Sequence, residues 1–219
     1  MEWVDGVTLD SFIRRCDILS LKFDWLVYRF SELVNWLIKQ PFAHGDLKPD
    51  NIIVKKDGSL VLIDYDGMYV PSMRGSAARE LGTPPCRHPN RTLSDFGPHI
   101  DDFAICVVML SLYGGSKFHT LNQIIQKEGL LFQDNDYKDL GKSRSVHEIM
   151  DLCGDSVLCR LFGVFLMALG YCGKIPVNAS VNLFNIPEPP LYVEDMDVII
   201  SDMQNTLSLS DINDILSDL

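Results

Sequence analysis

Residues 42–67, FAHGDLKPDNIIVKKDGSLVLIDYDG, decide how this chain is read. Two short β-forming runs, 51–54 and 59–63, flank the dipeptide Asp57-Gly58. An Asp-Gly pair between such runs predicts a hairpin, because both residues accept the positive φ of a tight turn. A hairpin here ties the loop 44–50 to the residues that follow the second strand. Asp64, thirteen residues after Asn51, is thereby carried back beside Asn51 and Asp46, with Lys48 between the last two in sequence.

Two carboxylates, an amide and an ammonium in one place suit a site that holds a nucleophile, a metal ion and a phosphate chain. Magnesium takes oxygen ligands and keeps several waters, so two protein groups suffice, and Asn51 and Asp64 offer them. Phosphoryl transfer asks little covalent work of a protein. It needs a carboxylate to orient the acceptor hydroxyl and take its proton, here Asp46, and a cation near the transferring group, here Lys48. Taken singly, each residue has an ordinary explanation as a turn, cap or structural residue, His44 included. The joint pattern does not.

The motif resembles the catalytic and metal-binding loops of the protein-kinase-like superfamily, on the side of the bacterial serine/threonine-type kinases. HGDLKPDN stands where that family has HRDLKPxN, and IDYDG stands at the DFG position. The resemblance implies Asp46 as catalytic aspartate, Lys48 as phosphate-contacting lysine, Asn51 and Asp64 as magnesium ligands, and ATP with Mg²⁺ as cofactors. It implies that Ile53 and Ile63 form the floor and back of an adenine pocket. Residues 1–13, MEWVDGVTLDSFI, look like the hinge, with Met1 at the gatekeeper position and the backbones of Glu2 and Val4 at the adenine edge. GTPPCRHP, residues 82–89, resembles the end of an activation segment, which brings Thr83 near Asp46. Asp101-Asp102-Phe103-Ala104 resembles the start of the buried central helix, with Asp101 bracing the catalytic-loop backbone.

The implied fold class is α+β, mainly α: a kinase-like C-terminal lobe over residues 1–173, followed by an acidic extension, 174–219. Residues 175–219 hold eight acids and no Lys or Arg. The implied function is ATP- and Mg-dependent phosphoryl transfer to a Ser or Thr hydroxyl of a protein. Two alternatives stay open: a small-molecule phosphotransferase similar to aminoglycoside or choline kinases, and a non-catalytic pseudokinase or interaction module. The partner is accordingly a protein substrate or a small hydroxyl acceptor. No Gly-rich loop, strand lysine or partner-glutamate helix stands before Met1, so the expectation is a truncated kinase domain without its N-terminal lobe. Such a chain would expose Trp3, Ile53 and Ile63 and bind Mg-ATP weakly.

The sequence also departs from the family pattern. Gly45 replaces the arginine of HRD, which predicts activity that does not depend on activation-segment phosphorylation. Asp66 precedes Gly67 and either binds metal or caps the turn. Asn90 replaces the glutamate of APE, so the usual ion pair to a later helix is expected to be missing; Arg160 is one cation that could have served it, without being assigned to that role.

Composition sets outer bounds. At 219 residues with 47% hydrophobic and 22% charged content, the chain can bury one sizeable core. A net charge of −11 argues against a nucleic-acid partner. Six cysteines without CxxC spacing read as reduced thiols of a cytoplasmic protein rather than a zinc site. No signal peptide is visible, and the apolar stretches 103–115 and 161–173 are too short to span a membrane and read as core helices.

Thr8 or Asp10 predicts the cap of a first helix running to about Leu19. Asp24 predicts the cap of a second, whose apolar period runs from Leu26 to Ile38 and stops at Pro41. Residues 1–4 read as a strand end. The region 68–98 lacks periodicity and reads as a long functional segment. Helical pattern resumes near Ile100 and continues to about Tyr171. Residues 186–190 read as a stiff linker, and 193–207 and 210–219 as tail helices that pack on the lobe or recruit a basic partner.

Overall fold

The computed structural model describes residues 4–15, 21–170, 173–175 and 183–189. Their order is β1 (Val7–Thr8), α1 (Leu9–Arg15), α2 (Leu21–Leu37), β2 (Ile52–Val54), β3 (Leu60–Leu62), α3 (Asp102–Lys117), α4 (His119–Glu128), α5 (Arg144–Asp151) and α6 (Ser156–Gly170). The described chain is therefore mainly helical with one small antiparallel sheet, ordered β1-β2-β3.

The hairpin forms, with Ile52, Ile53 and Val54 opposite Leu62, Val61 and Leu60. Its turn is longer than an Asp-Gly pair alone: residues 55–59 make the connection, and of that pair only Gly58 takes a positive φ, +73°. Side chains alternate across a strand. Ile52 and Val54 are sealed in the core, while Ile53 on the other face is half-buried. The third strand was not foreseen. Val7 and Thr8 pair with Val54 and Ile53. Two residues carry no readable alternation, and the strand expected at residues 1–4 falls mostly on 1–3, outside the described residues.

Thr8 rather than Asp10 caps α1, since its Oγ1 accepts the Ser11 N–H at 3.2 Å. Asp10 instead pairs with Arg14 at 2.8 Å. α1 is described to Arg15, and the expected continuation to Leu19 lies outside the described residues. Asp24 is not a cap. α2 begins at Leu21, and Asp24 sits in its first turn, paired with Lys117 at 2.8 Å near the end of α3. The apolar stripe of α2 behaves as its spacing predicts: Leu26, Phe30 and Val34 have no exposure.

α3 is the axis of the molecule. Every residue from Asp102 to Ser116 is buried, as a helix apolar all round must be. α2, α4 and α6 pack around it. In α6, Phe165 stacks on Phe132 with ring centroids 4.4 Å apart, and Phe103 of α3 lies 6.0 Å from Phe165. The helical pattern expected through 100–171 is interrupted. After Glu128 the chain closes α4 at Gly129, and the polar run from Gln133 to Asp139 makes short 3₁₀ turns before α5. Asp and Asn side chains compete with the helix for backbone partners there, as in the bond from the Gln133 N–H to Asp136 at 2.7 Å.

Ile175, Phe184 and Ile186 join the same core as the helices. Ile186, expected in a linker, is packed rather than free, and Pro190 and the two tail helices lie outside the described residues. Cys86 and Cys106 are buried thiols and Cys153 and Cys159 are also free, while Cys16 and Cys172 lie outside the described residues. Among the described residues no helix is long and apolar enough to cross a membrane.

Phe165 joins the α3 and α6 layers, so Phe165→Ala should cost about 3–5 kcal/mol through lost burial and a residual cavity. A urea unfolding midpoint within error of the parent would contradict that packing.

Candidate active site

The loop 44–50 is held from beneath by one carboxylate. Asp101, just before α3, accepts the backbone N–H of Gly45 at 2.9 Å and that of His44 in a still shorter bond. This is the bracing role expected of Asp101. The side chain is buried, and burial pushes its carboxyl up from the ordinary range, while the two N–H groups, His44 and the Arg91 guanidinium pull the other way.

His44 is fully buried and bridges the two halves of the site. Its Nδ1 accepts the Asp46 N–H at 3.4 Å, which leaves Nε2 as the donor to the Ile63 carbonyl at 2.8 Å. The ring lies 5.2 Å from that of Tyr65. A second tie comes from the paired backbone bonds between Ala43 and Tyr69, at 3.0 and 2.9 Å.

Gly45 is a steric requirement here. It adopts φ +89°, and a Cβ would stand 1.9 Å from the Gly67 carbonyl oxygen. An arginine at 45 is therefore incompatible with this packing of the IDYDG loop. The position's missing cation comes from elsewhere: Arg91 Nη1 donates to the Gly45 carbonyl at 3.0 Å. Sequence reasoning missed Arg91. The signal was available in the vacancy at 45 and in an arginine directly after the APE-like triplet.

Asp46 is the most heavily engaged carboxylate of the loop. Its Oδ1 accepts the Thr83 N–H at 2.6 Å, and its Oδ2 accepts the Thr83 hydroxyl at 3.1 Å and faces Lys48 Nζ at 2.9 Å. Lys48 also donates to Thr83 Oγ1 at 2.9 Å. Burial pushes the Asp46 carboxyl up, but the bonds from Lys48 and Thr83 outweigh it and the group lies below its ordinary range. Burial likewise pushes Lys48 down and its acidic neighbours, Asp46 first and Asp64 among them, raise it on balance.

Asn51 is buried at the start of the hairpin, and its Nδ2 donates to the Asp46 carbonyl at 2.9 Å. That bond leaves the amide oxygen as the atom free to meet a cation. The Ile63 N–H donates to the Asn51 carbonyl at 3.0 Å, so the backbone of Asp64 starts one residue from Asn51. Asp64 is exposed and has φ +64°, a positive value seen at no other non-glycine among the described residues. Such a conformation costs about 1–3 kcal/mol and collects at functional loops. Asp66 falls in the turn closed by the Met68 N–H on the Tyr65 carbonyl, in agreement with a turn role. Among the described residues no three His, Cys, Asp or Glu side chains gather into a metal cluster. The donor set fits a weakly held, largely hydrated Mg²⁺ and not a tightly caged metal.

Ile53 and Ile63 are half-buried on the sheet face opposite the core, with Val61 between them in register. They offer a flat apolar surface of the kind an adenine ring can cover. Val4 is half-buried, and Glu2, with Met1 and Trp3, lies outside the described residues. In the APE-like segment, His88 donates Nε2 to the Leu169 carbonyl at 3.0 Å and accepts the Asn90 N–H at Nδ1. Asn90 is neutral and forms no ion pair, and Arg160 donates to the Asn185 carbonyl at 2.9 Å.

No family model matches the chain. Among curated proteins it is similar to mouse sperm motility kinase 2A, with 34% identity over 121 residues, and to mouse sperm motility kinase 3A, with 32% identity over 119 residues. Each match takes in 52% of this chain and 23% of the relative, so the chain spans about a quarter of the length of these relatives. The similarity supports a protein-kinase-like fold, to which the mainly helical architecture with its three-stranded sheet conforms. These relatives are mouse proteins and lend nothing to the bacterial branch.

Asp101→Ala should leave two buried N–H groups without acceptors, at a cost of about 3 kcal/mol. Hydrogen exchange at the His44 and Gly45 amides should accelerate before global unfolding does, and unchanged protection there would contradict the brace. The depressed Asp46 carboxyl contributes stability above the ordinary carboxylate range, about pH 4, and loses it as pH falls through its lower folded value. The stability gap between wild type and Lys48→Met should accordingly be widest above about pH 5 and narrow in acid. A gap that grows on acidification would reverse the assignment.

Proposed function

We propose that this chain carries the catalytic half of an ATP- and Mg-dependent kinase site acting on Ser or Thr hydroxyls of a protein. Kinase relatives support phosphoryl transfer in general; a Ser or Thr acceptor is the finer part of this proposal, and the geometry around Thr83 favours it. One observation carries it. The hydroxyl of Thr83 lies between Asp46 Oδ2 at 3.1 Å and Lys48 Nζ at 2.9 Å. An aliphatic hydroxyl thus fits the place where an acceptor hydroxyl has to stand, with its proton directed at a carboxylate and its oxygen beside an ammonium.

ATP with Mg²⁺ would supply the phosphoryl group and the charge that neutralises it. Asn51 Oδ1 and the Asp64 carboxylate would hold the cation, and Ile53 and Ile63 the adenine, with Val4 and Glu2 at its edge. Asp46, kept ionised by Lys48 and Thr83, accepts a hydrogen bond from the acceptor hydroxyl and fixes the direction of the oxygen lone pair. Its low basicity makes it an orienting group first. It would take the hydroxyl proton onto Oδ2 only as the acceptor oxygen bonds to the phosphoryl group and the bond from phosphorus to the departing nucleoside diphosphate breaks. Lys48 then remains beside the oxygen and offsets charge on the group in transit. The bracing by Asp101 and Arg91 replaces the arginine that a phosphorylated activation segment would engage, so the loop is assembled without that modification.

In the complete native protein, Asp46→Asn should lower kcat by roughly 10²–10⁴-fold with nucleotide affinity kept. Asp64→Ala should remove the magnesium dependence of nucleotide binding. Wild-type turnover in both variants would refute the roles, and phosphatase treatment that abolished activity would refute assembly without phosphorylation.

A further inference from the structure

The charge of the molecule is unevenly spread. The chain carries −11 overall, yet residues 72–91 hold Arg74, Arg79, Arg87 and Arg91 against one acid, Glu80. Arg91 is committed to the Gly45 carbonyl. Arg74 and Arg79 are exposed and Arg87 is half-buried. Among the described residues, no ion pair or hydrogen bond engages the guanidinium group of any of these three.

Arg87 stands at the site itself. Its backbone N–H donates to the Thr83 carbonyl at 3.1 Å, and it lines a narrow void of about 10 Å³ together with Asp46, Gly82 and Thr83. Burial pushes the Arg91 guanidinium down from its ordinary value, with Asp101 and Asp46 pulling it back up and Arg87 adding to the push. Arg79 lines a surface cavity of about 440 Å³ with Met68, Val70, Met73 and Phe96. Asp66 is the acid on that wall, and no ion pair joins it to Arg79. Unpaired guanidinium groups on the segment that meets a hydroxyl-accepting carboxylate, Arg87 in a void shared with Asp46 and Arg79 in the adjoining cavity, select a partner by sign on an otherwise acidic protein.

We propose that the acceptor is a Ser- or Thr-containing polypeptide segment with acidic residues close to the hydroxyl, read by Arg87 beside Asp46 and by Arg79 along the adjoining cavity. This rests on the phosphoryl-transfer reading and adds the substrate class. Guanidinium is suited to the task, because its planar fork meets a carboxylate with two parallel hydrogen bonds. The apolar wall of Met68, Met73 and Phe96 gives an apolar side chain of the same segment a place to dock.

The test is fluorescence anisotropy with the whole chain and labelled peptides that share one Ser in acidic, neutral or basic flanks, without nucleotide. The acidic peptide should bind at least about tenfold tighter than the neutral one, with a steep loss as salt rises. Arg87→Glu and Arg79→Glu, each with an unchanged thermal midpoint, should erode that preference by roughly fivefold or more. Asp46→Asn should keep it. Equal binding of the three peptides, or a preference untouched by both arginine variants, overturns the proposal. The two readings fail separately. In the complete native protein, equal kcat/KM for acidic and basic peptides sinks the substrate class and leaves phosphoryl transfer standing. Selective acidic binding without any transfer sinks phosphoryl transfer and leaves the charged surface standing.

Discussion

The carboxylate of Asp101 is the point on which the site depends. It is buried at the head of the central helix, where an isolated charge would be costly, and the N–H groups of His44 and Gly45 together with the nearby Arg91 make it tolerable. Those N–H groups belong to a loop that has no ladder of its own. Each partner therefore satisfies the other, and the result is a fixed join between the most completely buried helix and an irregular functional segment. His44 extends the join to Ile63 and Asn51 extends it to Asp46, so that four functional side chains inherit the rigidity of α3 through few bonds.

A second constraint is steric. Gly45 packs directly against the Gly67 carbonyl, and that contact exists only because residue 45 has no side chain. It sets the height of the IDYDG loop above the catalytic loop and hence the distance from Asp64 to Asp46. It also excludes an arginine from position 45. The fold recovers the charge by bringing Arg91 under the same carbonyl from a segment more than forty residues away. Position 45 is thus less a loss of function than a different solution to bracing the loop.

Local chemistry made much of this legible in the sequence. The hairpin followed from Asp57-Gly58, the buried stripe of α2 from its period, and the burial of α3 from its unbroken apolar run. The meeting of Asp46 with Thr83 and of Asp101 with the loop backbone was what the family resemblance of residues 82–89 and 101–104 implied. What escaped was set by distant partners. Asp24 looks like a cap until Lys117 claims it. Val7 and Thr8 become a strand only because β2 offers an edge. Arg91 has no local reason to leave solvent, and only the vacancy at Gly45 explains it. The turns between α4 and α5 lay in a run of Asp and Asn whose side chains compete with helix bonds.

The central claim is that Asn51 and Asp64 share one divalent cation within reach of Asp46. Paramagnetic broadening tests it directly, with Mn²⁺ in place of Mg²⁺ and ATP present. The account predicts selective loss of the Asn51 side-chain amide signal and of the backbone signals of residues 63–65, reversed by excess Mg²⁺. Broadening centred elsewhere on this acidic protein, with the Asn51 amide left sharp, would contradict it.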